Sequence, residues 1–124
     1  MTLPTSTSSA FFDPEGFLEV ARSLAHKTNP TEAELRTAVG RAYYGVFLQA
    51  REVLAATGEI TPTWTPDDHP LVVGALRKRR GPSGNQLHKL RRARNQDDYH
   101  LTRTRTQASA QQLVTTADLV SSRL

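Results

Sequence analysis

The sequence contains no cysteine. Disulfides, zinc–thiolate centres and thiol nucleophiles are therefore excluded, and nothing calls for an oxidising compartment. No apolar run approaches the length of a membrane span. The opening MTLPTSTSSA has neither a basic start nor a hydrophobic stretch, which is not the pattern of a signal peptide, so a cytoplasmic protein is the expectation. Apolar material is modest, at 37%, and a small domain with little of it often completes its core by association. Lysine is scarce. Of 16 basic residues only Lys27, Lys78 and Lys89 are lysines. The arginine excess, with a net charge of +4, favours a polyanionic partner, because guanidinium matches phosphate as a planar fork. The four histidines, His26, His69, His88 and His100, are scattered with no HExxH or comparable spacing, so no metal site is expected. No P-loop or GxGxxG motif is present, which removes support for a nucleotide-hydrolysing fold.

The 124 residues fit one domain. Residues 1–10, rich in Ser, Thr and Pro, read as a flexible arm, and residues 11–124 as a single helical domain. In DPEGFLEVARSLAHK, Asp13 can cap, Pro14 suits a first turn, and Phe17, Val20, Ala21 and Leu24 share a face. The segment from Thr31 to Gly58 is the strongest element. Thr31 and Glu34 form a capping box, and Gly58 stands where a helix should stop. Leu35, Val39, Ala42, Val46, Ala50 and Val53 make one stripe; Tyr43, Phe47 and Leu54 make a second beside it. So wide an apolar surface predicts a central helix with neighbours on several sides. EITPTWTPDDHP reads as a loop, with Asp67, Asp68 and His69 capping the helix after it. LVVGALRKRR predicts a short helix broken by GPSG. NQLHKLRRARNQDDY predicts another, with Leu87, Leu90 and Ala93 inward. The segment from Thr102 predicts the last, with Ala110, Leu113, Ala117, Val120 and Leu124 in register. With no strand pattern, the expected fold is all-α, a bundle of four to five antiparallel helices.

RNQDDYH, residues 94–100, gathers a strong cation, an amide, an acid pair and a histidine. The simplest reading is a solvated helix end, with Asp97 and Asp98 available to Arg94 three and four positions on. Two segments together suggest more. RAYYGVF, inside the central helix, and LRRARNQDDYH, separated by the histidine-containing loop DDHP and a basic stretch, resemble the HEPN family from about Phe17 to the end of the chain. That resemblance implies an all-α bundle, commonly homodimeric, and in many members a metal-independent endoribonuclease of toxin–antitoxin or anti-phage defence systems. It also implies the roles of an Arg, four to six residues and a His, with a polar residue after the Arg. Arg94, Asn95 and His100 fit that signature. The alternative is a non-catalytic HEPN subunit that binds a nucleotidyltransferase antitoxin, a larger defence complex, or nucleic acid.

The chemistry suits these residues. RNA carries its own nucleophile, the 2′-hydroxyl. A histidine can move the proton and an arginine can stabilise charge on the phosphorane, with no cofactor. On a straight helix, however, positions six apart lie about 120° apart around the axis. Arg94 and His100 meet only if the helix ends near Tyr99, with Thr102 capping the next, or if two copies of the motif share a dimer cleft. Arg77, Lys78, Arg79 and Arg80, with Arg91 and Arg92, are candidate RNA-phosphate contacts or a solubilising surface. Trp64 has two readings, a base-stacking platform or a cover over a core edge, and the second is the expectation.

Overall fold

The computed structural model describes residues 12–124, so the proposed arm over residues 1–10 lies outside the described residues. The described residues form an all-α fold of five helices: α1 (Glu15–Ala25), α2 (Glu32–Ala56), α3 (Asp68–Arg79), α4 (Gly81–Tyr99) and α5 (Gln107–Ser122). Among them no helix is long and apolar enough to cross a membrane.

α2 is the axle, packing against all four other helices. It starts on the capping box, with Thr31 Oγ1 accepting from Glu34 N at 3.1 Å and Glu34 Oε1 accepting from Thr31 N at 2.9 Å. It stops where Gly58 turns to φ 76°. Glu59 N then donates back to Leu54 O at 2.9 Å and Ile60 folds into the core, which is a Schellman stop. Both predicted stripes are buried except Val53, which is half-buried.

The pairwise contacts fix direction. Leu18 meets Gly45 while Lys27 meets Glu34, so α1 runs against α2. Arg94 meets Tyr44 while Arg36 reaches the end of α4, so α4 also runs against α2. Gln107 bonds Ala25 O and Ser121 bonds Gln49, which sets α5 parallel to α2 and antiparallel to α1. Four helices thus alternate up and down, with α3 added alongside α2 and α4.

Several expectations need correction. On α1 the buried residues are Leu18, Ala21 and Ala25; Val20 points to solvent and Phe17 lies at the edge against Phe12. The reason is Gly45, which opens a slot for Leu18: a Cβ there would sit 2.9 Å from Leu18 Cγ. GPSG does not break the chain into a loop. α4 starts at Gly81, with Pro82 in its first turn, and the whole junction with α3 is Arg80 in extended conformation. The last helix begins at Gln107 on a Thr106 cap, not at Thr102. Asp67 makes no capping bond, and Asp68 faces back into the loop before it.

Candidate functional site

The C-terminal half of α4 lies along α2 and brings the sequence's candidate residues into view one by one. Arg94 is largely buried. Its guanidinium carbon lies 5.0 Å from the Tyr44 ring centroid, and Nη1 donates to Asn95 Oδ1 at 2.9 Å. Its Nε lies 2.9 Å from Asp98 Oδ2 but is not aligned for a hydrogen bond. Arg94 and Asn95 are therefore in direct contact. With Arg36, Arg41 and Tyr44, Arg94 lines a groove of about 370 Å³ between α2 and α4, in which Asp98 is the one carboxylate among the described residues. Gly40 forms part of the floor, and a side chain there would project into the groove. Arg41 is seated on two rings, its guanidinium carbon 4.9 Å from the Phe17 centroid and 5.4 Å from that of Tyr44. Of the two tyrosines in RAYY, Tyr43 is wholly buried and Tyr44 belongs to the groove.

His100 stands apart. α4 ends at Tyr99, and His100 follows at φ −106°, ψ 88°. Its imidazole is exposed and has no side-chain hydrogen bond among the described residues, and His100 does not line the groove. Its backbone is fixed nonetheless. Arg36 Nη1 donates to Asp97 O at 2.7 Å and to His100 O at 3.3 Å, and its Nη2 donates to Arg103 O. One guanidinium thus gathers a carbonyl of the last helical turn and two from the turn that follows it. The same turn is locked by Asp97, buried and held by Arg105 through Nε to both oxygens at 3.0 Å. The two aspartates of the motif are each neutralised by an arginine, Asp97 by Arg105 and Asp98 by Arg94. His100 is flanked by Tyr99 and Leu101, which are 72% and 84% exposed.

Sequence reasoning missed His69 as a member of this neighbourhood. Its ring stacks on Phe47 at 4.3 Å, and its Nδ1 is hydrogen-bonded to the Tyr43 hydroxyl. Burial holds the His69 pKa below the usual value, helped by the charges of Arg91, Arg94 and Arg51. Burial raises the Tyr43 phenol. Both groups are therefore neutral at pH 7, and the tautomer of His69 sets which of the two donates. The available signal was one helical turn of spacing between Tyr43 and Phe47, which leaves an aromatic slot for a ring from the DDHP loop.

The basic residues are spread over the end of α3 and different faces of α4. Arg77 Nε is tied to Asn85 at 3.0 Å and Arg79 to Glu59 at 3.4 Å, while Lys78 and Arg80 are exposed at the end of α3. Arg92 sits about 200° around α4 from Arg94. With Lys89 and His88 it lines a separate cavity of about 440 Å³ against α5. The charge of Arg91 acts on Tyr43 and His69. Among the described residues no group of three or more His, Asp or Glu side chains is placed to hold a metal ion. No family model matches the chain, and neither a curated protein nor a solved structure is significantly similar to it.

Proposed function

We propose that this chain is a metal-independent endoribonuclease that works as a homodimer, in the toxin or anti-phage defence setting its motifs imply by resemblance to the HEPN family. The observation that carries the reading is the seating of Arg94. A guanidinium fixed by a ring and an amide, in a groove shared with Arg36 and Arg41, is a prepared site for a phosphodiester. Asp98, more than a third exposed, can swing away and yield its place to a phosphate oxygen. His100, six residues on, supplies the titratable group at the end of the same helix.

In this reading the 2′-hydroxyl attacks phosphorus as one His100 takes its proton, forming the 2′-oxygen–phosphorus bond. The phosphorus–5′-oxygen bond breaks as the second copy's His100 returns a proton to the leaving oxygen. Arg94 stabilises the phosphorane, and the products are a 2′,3′-cyclic phosphate and a 5′-hydroxyl. Two copies supply acid and base at once, and the exposed Tyr99 and Leu101 beside each His100 give those copies an apolar contact.

The test is cleavage of a mixed RNA pool without added metal. Wild type should cut in the presence of a chelator, and His100→Ala and Arg94→Ala should each lose on the order of 10²–10⁴ in rate while staying folded. Asn95→Ala should lose less. If wild type leaves RNA intact, or His100→Ala cuts equally well, the reading fails. The Arg94–Asp98 ion pair favours the second reading in that event: an arginine whose charge is matched within its own helix suits a non-catalytic subunit that binds a partner protein or nucleic acid.

A further inference from the structure

The loop before α3 holds a feature that neither the bundle nor the Arg94 groove requires. Trp64, the only tryptophan in the chain, is 68% exposed. The expectation that it covers a core edge is not met. Its backbone lies at φ 59°, in the left-handed region where a bulky side chain is an outlier. A buried carboxylate holds it there. Asp68 accepts from Trp64 N at 3.0 Å, from Thr63 N at 2.8 Å and from Thr63 Oγ1 at 2.7 Å, with Arg51 Nη1 at 3.3 Å. Bonds from Thr63 keep that carboxyl below the usual carboxylate range, so the clamp is charged at neutral pH. The same Arg51 lies under the indole, 4.6 Å from its centroid, and reaches on to the Phe47 ring at 5.4 Å. One guanidinium therefore connects the clamp, the core and one face of the ring.

An exposed indole, set in a costly conformation by a buried acid and backed by a cation, is a flat π surface held ready for another. We propose that Trp64 is a stacking platform for a nucleobase of a single-stranded nucleic acid. The proposal rests on the RNA reading above for its choice of ligand. Arg51, which backs the ring, stands seven residues from Tyr44 on α2, about 10 Å of axial rise and nearly the same face; a strand with its phosphate at Arg94 would lay a nearby base on the ring. Stacking accepts every base and is indifferent to the sugar. The subsite should therefore grip a strand without reading its sequence.

Because Trp64 is the sole tryptophan, its fluorescence reports on this residue alone. The probe is a single-stranded oligodeoxythymidine, which lacks the 2′-hydroxyl and stays uncut. Titrating it into wild-type protein should quench the fluorescence, while inorganic polyphosphate should bind without quenching. Trp64→Ala should weaken strand binding, read by anisotropy of a labelled strand, by roughly 5- to 150-fold. Trp64→Phe should recover most of the loss. Trp64→Gly should bind as weakly as the alanine variant yet melt no lower than wild type, since glycine takes positive φ freely. Bound strand without quenching, quenching by polyphosphate, or unchanged affinity in Trp64→Ala would each overturn the platform. The two proposals fail separately. Quenching without RNA cleavage leaves the platform and removes the nuclease, whereas cleavage with an unquenched Trp64 does the reverse.

Discussion

His69 shows how one side chain can be drawn into a core by its neighbours. It has Phe47 beneath it and the Tyr43 hydroxyl on Nδ1, and it feels three arginines. Its folded pKa lies below its unfolded value, so between the two the unfolded chain binds the extra proton. Stability must then rise with pH through that window and fall as the solution is acidified below about 6.5. One such group contributes a slope of at most about 1.4 kcal/mol per pH unit. Urea unfolding at a series of pH values from neutral downward should show this decline. His69→Gln, which keeps an acceptor for Tyr43 but cannot titrate, should flatten it. An unchanged slope in that variant would assign the pH dependence to the carboxylates instead.

Among the elements, the meeting of α3 and α4 turns on Gly84. A Cβ there would lie 2.6 Å from Arg77 N and 2.8 Å from Arg77 Cα, which are backbone atoms that cannot step aside. Gly84→Ala should cost about 1–3 kcal/mol by forcing the helices apart, despite the better helix former. Gly74→Ala, on the neighbouring helix with nothing within 4 Å of the new methyl, should instead add about 0.5–1 kcal/mol. Opposite shifts in thermal midpoint would confirm the difference, and equal shifts would refute it. These cases also mark how far the sequence could be read. α2 was legible to the residue, because its capping box, its stop glycine and its two stripes all depend on nearest neighbours in the chain. The inward residues of α4 and α5 were legible for the same reason, except Leu124, which lies past the end of α5 and is half-buried. The facing of α1 was not, since Leu18 is chosen by a glycine 27 positions away. The start of α4 was not, since a Gly-Pro-Ser-Gly run suits a loop as well as a first turn until a partner helix closes on it. At the site, the Arg94–Asp98 pair was legible from its four-residue spacing, whereas Asp97, also offered to Arg94, is taken by Arg105 from beyond the helix end. The roles of Tyr44, Arg41 and His69 depend on packing between helices, which local spacing does not encode.

At the scale of the whole molecule, charge and apolar surface are distributed unequally. Arg94 with Arg41 and Arg36 faces one side of α4, and Arg92 with Lys89 and His88 faces the other. A path between the two over the helix end passes His100, which stands between exposed Tyr99 and Leu101. If that end is where two copies meet, replacing Tyr99 and Leu101 with serine should remove apolar contact from both sides of a two-fold interface. Light scattering should then show wild-type dimers become monomers at micromolar concentration, with cleavage lost in parallel while far-ultraviolet circular dichroism is unchanged. Wild type that is already monomeric, or a variant that remains dimeric, would move the interface elsewhere.

The grip of Arg36 on the turn after α4 has one more consequence, and it concerns digestion. The segment from His100 to Thr104 is exposed and carries Arg103, so it offers trypsin a surface bond of the kind usually cut first. A protease needs several residues of slack to draw a loop into its cleft, and Arg36 removes that slack by holding the carbonyls of Asp97, His100 and Arg103 together. The folded protein should therefore resist nicking after Arg103, and Arg36→Ala should be cut there several-fold faster under identical conditions while its core helices remain intact.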